Sequence, residues 1–159
     1  MYDVNNGIVY INESEQRPAL RAERAGTRGF RAPEVLLKLQ QQSTKIDIWS
    51  VGVVLLCIMA RRYPFFNSTT DDEALLEIAT ITGQGPIKQL GQQLGRFVDL
   101  KTPYIKEDSG MGWREAILVL HPQSNWSDEL YDLLDILLTV DPTKRTTAKD
   151  ALKLPLFKI

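Results

Sequence analysis

Residues 26–34 read Gly-Thr-Arg-Gly-Phe-Arg-Ala-Pro-Glu, and residues 47–52 read Asp-Ile-Trp-Ser-Val-Gly. Pro33 suits a first helical position, and Glu34 to Gln40 can continue a short helix from it. Gln41, Gln42 and Ser43 form a polar break. Thr44 and Asp47 then have capping-box spacing, which predicts a helix starting near Thr44 and running to about Arg61. Its middle, Val51 to Ala60, is apolar on every side, so this helix should be surrounded by other elements. Arg61 and Arg62 suit its C-terminal end, and Pro64 prevents continuation.

Working outward, Thr70 and Glu73 repeat the capping-box spacing and open a helix over 71–82 that buries Leu75, Ile78 and Ala79. Gly83, Gly85 and Pro86 stop it. Residues 83–127 are the least regular, with a short amphipathic helix possible around 86–97; a stretch this long without strong periodicity reads as an insertion. Ser127 can cap the next helix. Its Leu130, Leu133, Leu134, Leu137 and Leu138 form the clearest helical stripe in the chain. Asp141-Pro142 ends it, and Thr147 with Asp150 opens a last short helix burying Ala151 and Leu152. Residues 1–25 are polar and charged and read as irregular, with a small strand within Ile8 to Ile11.

Bulk properties narrow the classes. The 159 residues fit one domain or part of one, and the net charge of -1 provides no whole-chain field for nucleic acid or acidic membranes. One cysteine, Cys57, excludes an internal disulfide framework and cysteine-rich zinc sites. The start has no basic and apolar signal-peptide regions. The longest apolar run, Ile48 to Ala60, rises about 20 Å as a helix, short of the ~30 Å hydrocarbon core. His121 reads as a surface loop residue, Cys57 as a buried structural thiol, and Asp71-Asp72-Glu73 as a charged helix start. Gly83 to Gly95 lacks the spacing of a phosphate loop. Arg17, Arg21, Arg24, Arg28 and Arg31 make 17–31 basic.

With these elements in order, the chain resembles the C-terminal lobe of eukaryotic protein kinases, from the end of the activation segment to the last helix. Three motifs carry the likeness: Gly26 to Glu34, Asp47 to Gly52, and Asp141-Pro142-Thr143-Lys144-Arg145-Thr146-Thr147-Ala148 followed by Pro155-Leu156-Phe157. It covers 24–82 and 127–158. The implied fold is mainly α, a partial kinase domain: residues 1–25 an irregular tail of the activation segment or an insert, 26–159 the lobe, with the insertion at about 83–126. The resemblance implies a buried ion pair between Glu34 and Arg145. It implies that Asp47 accepts hydrogen bonds from the catalytic-loop backbone and that Trp49 packs under the activation segment. Thr27 resembles the threonine that supports the catalytic aspartate of Ser/Thr kinases, which points to Ser or Thr as the acceptor.

The run Arg24 to Glu34, with Ser43 to Gly52 and Arg62-Tyr63-Pro64-Phe65, looks most like the replication-initiating cell-division-cycle kinases, seventh of their series, in a fungal-type form. That likeness implies a nuclear enzyme that transfers the ATP γ-phosphate to proteins, with the MCM helicase as substrate, and that requires a regulatory activator subunit. It also implies a preference for Ser/Thr followed by an acidic or phosphorylated residue. Arginine forks suit such groups, so Arg24, Arg28 and Arg31, with Thr27, Gly29 and Phe30, are the candidate substrate-binding residues. Regulatory-subunit docking is the role expected of 83–126. Neither direct nucleic-acid binding nor membrane association is expected.

Departures from the family pattern are Arg61 where kinases usually have glycine, and Leu154 where they have histidine. The chain also shows no Gly-rich loop, strand lysine, His-Arg-Asp or Asp-Phe-Gly. The whole kinase uses ATP and Mg²⁺; this chain by itself is expected to bind neither and to be inactive, with no catalytic, cofactor or metal residue of its own. The alternative is a noncatalytic truncated lobe serving as an interaction module.

Overall fold

The computed structural model describes residues 8–12, 26–101 and 110–158. Among them the elements run β1 (Ile8–Asn12), α1 (Pro33–Leu36), α2 (Lys45–Met59), α3 (Asp71–Thr82), α4 (Gln84–Gln93), β2 (Phe97–Lys101), α5 (Trp113–Leu120), α6 (Asp128–Leu137), α7 (Ala148–Ala151) and a 3₁₀ turn, Pro155–Phe157. The fold is mainly helical. β1 and β2 pair antiparallel, Ile8 opposite Lys101 and Asn12 opposite Phe97. No described helix is long and apolar enough to cross a membrane.

α2 is the central element, packed against α5 and α6, while α3 packs against α1, α4 and α5. The core is built from Trp49, Val53 and Leu56 of α2, Leu75 and Ile78 of α3, Ile87 of α4, Ile117 of α5, and Leu134 with Leu138 at the end of α6. The leucine stripe lies where expected: Leu133, Leu134, Leu137 and Leu138 are buried and Leu130 packs against the core. Gly52 permits the close approach of α2 and α6, since a Cβ there would lie 2.7 Å from Leu138 Cδ2.

α2 corrects two expectations. Its Thr44 makes no side-chain cap; Ser43 Oγ accepts the Lys45 N–H at 3.3 Å instead. Thr44 already sits in helical backbone geometry, which points its hydroxyl away from the N-terminal amides. Nor is the helix enclosed on all sides, for Val51, Val54 and Ile58 are exposed, in line with Asp47 on one face. The C-terminal end is a Schellman motif: Arg61 N–H donates to Ile58 O and Arg62 N–H to Cys57 O, both at 3.1 Å. Arg61 is the left-handed residue of that motif, with φ 47°. A side chain in αL costs about 1–2 kcal/mol, a strain that the glycine expected here from the resemblance would not carry. Trp126 Nε1 also donates to Met59 O at 3.0 Å, closing the same end.

The expected capping box of α3 is made in full by Thr70 and Glu73. Thr147 caps α7 by accepting the Asp150 N–H, but Leu152 is exposed rather than buried, because the helix ends at Ala151. α1 is shorter than expected; Lys38 turns out of it at φ 59°. The stretch read as least regular holds α4, β2 and α5. α4 and α5 each bury an i, i+3, i+4 set, Ile87-Leu90-Gly91 and Trp113-Ala116-Ile117. α4 falls on the short amphipathic helix expected around 86–97, starting two residues earlier and ending at Gln93, whereas the eight residues of α5 are too few for the periodicity to stand out. Gly91 is where β2 crosses α4, and a Cβ there would meet Val98 Cγ2 at 2.5 Å.

Candidate functional site

Residues 26–34 form a turn leading into α1. Phe30 N–H donates to Thr27 O at 3.0 Å, closing a β-turn whose third residue is Gly29, at φ 83°. That is the position where a type II turn needs positive φ. Gly29 is doubly required, since a Cβ would lie 2.9 Å from the Phe66 carbonyl oxygen, a backbone atom. Gly29→Ala is therefore expected to lower stability by about 1–3 kcal/mol through strain and overpacking, read by urea unfolding. A loss below about 0.5 kcal/mol would show the turn to be more plastic than this geometry implies.

Three anchors hold the turn to the lobe. Ser50 Oγ, on α2, lies 3.1 Å from Phe30 O and the same distance from Ile46 O, so its single proton is shared between the segment and the helix carbonyl four residues back. Arg31 Nε donates to Gly26 O at 3.1 Å, and its Nη1 pairs with Asp71 Oδ1 of α3 at 3.2 Å. Glu34 and Arg145 form a forked ion pair, both contacts at 2.8 Å, with side chains 2% and 0% exposed.

Arg145 is fully committed. Its other bonds go to the carbonyls of Thr139 (Nε, 2.8 Å), Lys45 (Nη1, 2.8 Å) and Val140 (Nη2, 3.1 Å). With the two to Glu34, all five guanidinium N–H groups are used. Lys45 Nζ donates back to the Arg145 carbonyl. Trp49, fully buried, lies beneath: Arg145 Cζ is 5.1 Å from its ring centre, and Trp113 meets it edge-on at 6.2 Å. Thus the residue expected under the segment touches the anchor, and its neighbour Ser50 touches the segment.

The candidate substrate-binding residues divide. Thr27 and Arg28 are exposed, Gly29 and Phe30 are half-buried, and Phe30 packs on Tyr63 with ring centres 6.2 Å apart. Arg31 is engaged by Asp71 and Gly26, so it braces the segment rather than offering a free fork. Arg24 lies outside the described residues. Asp47 is exposed. No cluster of potential metal ligands occurs among the described residues, and Cys57 is buried. Ser50 and Lys45 were missed as anchors; the one polar residue inside the apolar run was the available signal for Ser50.

Behind the segment, Glu77 of α3 accepts the Asn67 N–H at 3.3 Å. Burial pushes its carboxyl above the ordinary glutamate value of 4.5, against the pull of the Asn67 N–H and of the nearby Arg62 charge. A carboxyl raised in the fold disfavours the native state at pH above its folded pKa, and that penalty fades as pH falls toward the unfolded value. Glu77→Gln keeps an acceptor for Asn67 and loses the charge. It should raise Tm at pH 7, with the gain shrinking as pH approaches 4.5. An equal gain at both pH values would assign the effect to something other than ionisation.

The protein kinase domain family matches residues 7–157, and the chain belongs to it. Within that family it is similar to cell-division-cycle kinases. It is 41% identical over 145 residues to probable cell division control protein 7 homolog 2 of Encephalitozoon cuniculi, covering 91% of this chain and 41% of that protein. It is likewise 41% identical over 153 residues to the cell cycle protein kinase spo4 of Schizosaccharomyces pombe, covering 90% of this chain and 35% of the relative. The human cell division cycle 7-related protein kinase is 31% identical over 200 residues, with 86% and 35% covered. The chain thus spans less than half the length of these relatives.

Proposed function

We propose that this chain is the substrate-facing part of a Ser/Thr protein kinase acting in the cell cycle, and that the whole protein transfers the ATP γ-phosphate to Ser or Thr of a nuclear replication protein of the MCM helicase class. The observation that carries the reading is the Glu34–Arg145 anchor, which uses every guanidinium donor to fix the end of residues 26–34 to the lobe. Rigid placement of an acceptor peptide is what phosphoryl transfer demands of this part of a kinase. Thr27 supports the catalytic aspartate, and Arg28, with Arg24, meets an acidic or phosphorylated residue after the acceptor. A regulatory subunit completes the enzyme, docking on the 83–126 region.

The exposed face of α2, Asp47 with Val51, Val54 and Ile58, favours this reading over an independent interaction module, since a larger kinase domain would cover it. ATP, Mg²⁺ and the catalytic loop belong to that larger domain. Two measurements test the proposal. The coding sequence before Met1 is expected to carry His-Arg-Asp and Asp-Phe-Gly in frame. The chain alone is expected to give no binding heat with Mg-ATP and no phosphate transfer to an acidic serine peptide. Transfer by the purified chain would defeat the assignment of chemistry to the larger domain.

A further inference from the structure

The Schellman motif at the end of α2 places a charged residue where the backbone favours glycine, Arg61 at φ 47°. Its side chain is exposed, and among the described residues its guanidinium has no partner. Two positions on, Tyr63 is 79% exposed and rests on Phe30 of the 26–34 turn. No Asp or Glu occurs from 48 to 70, although the whole chain carries a net charge of -1. Of the arginines within two residues of Phe30 or Tyr63 in the sequence, Arg31 pairs with Asp71, and Arg62 has the Glu77 carboxylate nearby. Arg28 and Arg61 are left with no acidic partner among the described residues.

Strain retained at a surface position, with the side chain turned to solvent, points to a use for that side chain. We propose that Arg61 and Tyr63 form a second contact for an acidic peptide, beside the 26–34 turn. Tyr63, backed by Phe30, supplies the platform on which the peptide lies. Arg61 takes a carboxylate or phosphate further along the peptide than the residue met by Arg28, as a guanidinium fork suits either group. This rests on the substrate-facing reading above and adds a specificity-determining residue to it.

The test uses this chain and a fluorescein-labelled peptide with a central serine followed by aspartates, read by anisotropy. A phosphoserine version and an asparagine version serve as further arms. Arg61→Gly is a favourable variant because relief of the αL residue should raise Tm by about 2–4 °C, so weaker binding cannot be blamed on unfolding. Affinity is expected to fall about fivefold in Arg61→Gly, and also in Tyr63→Ala, with high salt erasing the difference for Arg61→Gly. The asparagine peptide should bind both proteins equally weakly, and the stronger of the aspartate and phosphoserine arms names the anion preferred.

Affinity within about twofold of wild type in Arg61→Gly, with a loss in Arg28→Ala, would overturn this inference and leave the proposed function standing. No peptide binding by the wild-type chain would overturn both. An oligothymidylate that binds more tightly than the peptide, and in an Arg61-dependent way, would overturn it by assigning the patch to nucleic acid.

Discussion

Arg145→Ala is expected to destabilise the chain by about 3–5 kcal/mol, because Glu34 is then left buried and unpaired. Glu34→Ala is expected to fall in the same range for the reciprocal reason. Native stability is only about 5–15 kcal/mol, so either change removes a large part of it. Urea unfolding followed by far-UV circular dichroism provides the measurement, with soluble yield as a second readout. Arg145→Lys should rescue little, since an ammonium cannot reproduce the fork to Glu34 while also reaching the carbonyls of Thr139, Lys45 and Val140. The same carbonyls predict the double change Glu34→Leu with Arg145→Met. Replacing both members of a buried pair by apolar groups is often neutral. Here it should not be, because three backbone acceptors lose their donor. A double variant as stable as wild type would mean that these carbonyls find other partners and that the pair alone carries the energy.

Much of this anchor was legible in the sequence, though only through the family motifs. Glu34 and Arg145 are 111 residues apart, and no periodicity or propensity links them. What local patterns did reveal were elements with long, uninterrupted signals: the Leu130–Leu138 stripe, the Thr70–Glu73 box, and the apolar run of α2. The failures share a physical origin. Thr44 has the right chemistry for a cap, but capping depends on the φ and ψ of that residue, which the chain entering from Ser43 decides. Leu152 is apolar, yet it falls one residue beyond a four-residue helix and so faces solvent. α4 was legible only as a short amphipathic helix with shifted bounds, because Gly91 is in it for a packing reason that belongs to β2, and α5 was hidden because two turns provide only three core positions. At the candidate site, residue types put Arg24 and Arg31 ahead of Arg28 as forks for the peptide. The partners reverse part of that order: Arg31 is a brace through Asp71, while Arg28 is open.

Trp49→Ala is expected to destabilise the chain by about 3–5 kcal/mol, the usual range for deleting a fully buried large aromatic. The site is poorly able to collapse. Arg145, held by five hydrogen bonds, cannot move into the space, and Trp113 is fixed between Trp49 and Phe66. Trp49→Phe separates two contributions. It removes part of the volume but also removes an indole N–H that is buried without a hydrogen-bond partner. A buried unsatisfied donor costs about 1–3 kcal/mol, so its loss offsets much of the cavity, and the phenylalanine variant should lose well under half as much as the alanine one. Both are measured by urea unfolding under the same conditions. Equal losses would show that the N–H is not a liability in the native state. The two variants also bear on function, because Trp49 supports the guanidinium that holds Glu34. Trp49→Ala should weaken the chain's affinity for the acidic peptide even where the protein remains folded, whereas Trp49→Phe, which keeps a ring beneath Arg145, should leave it close to wild type.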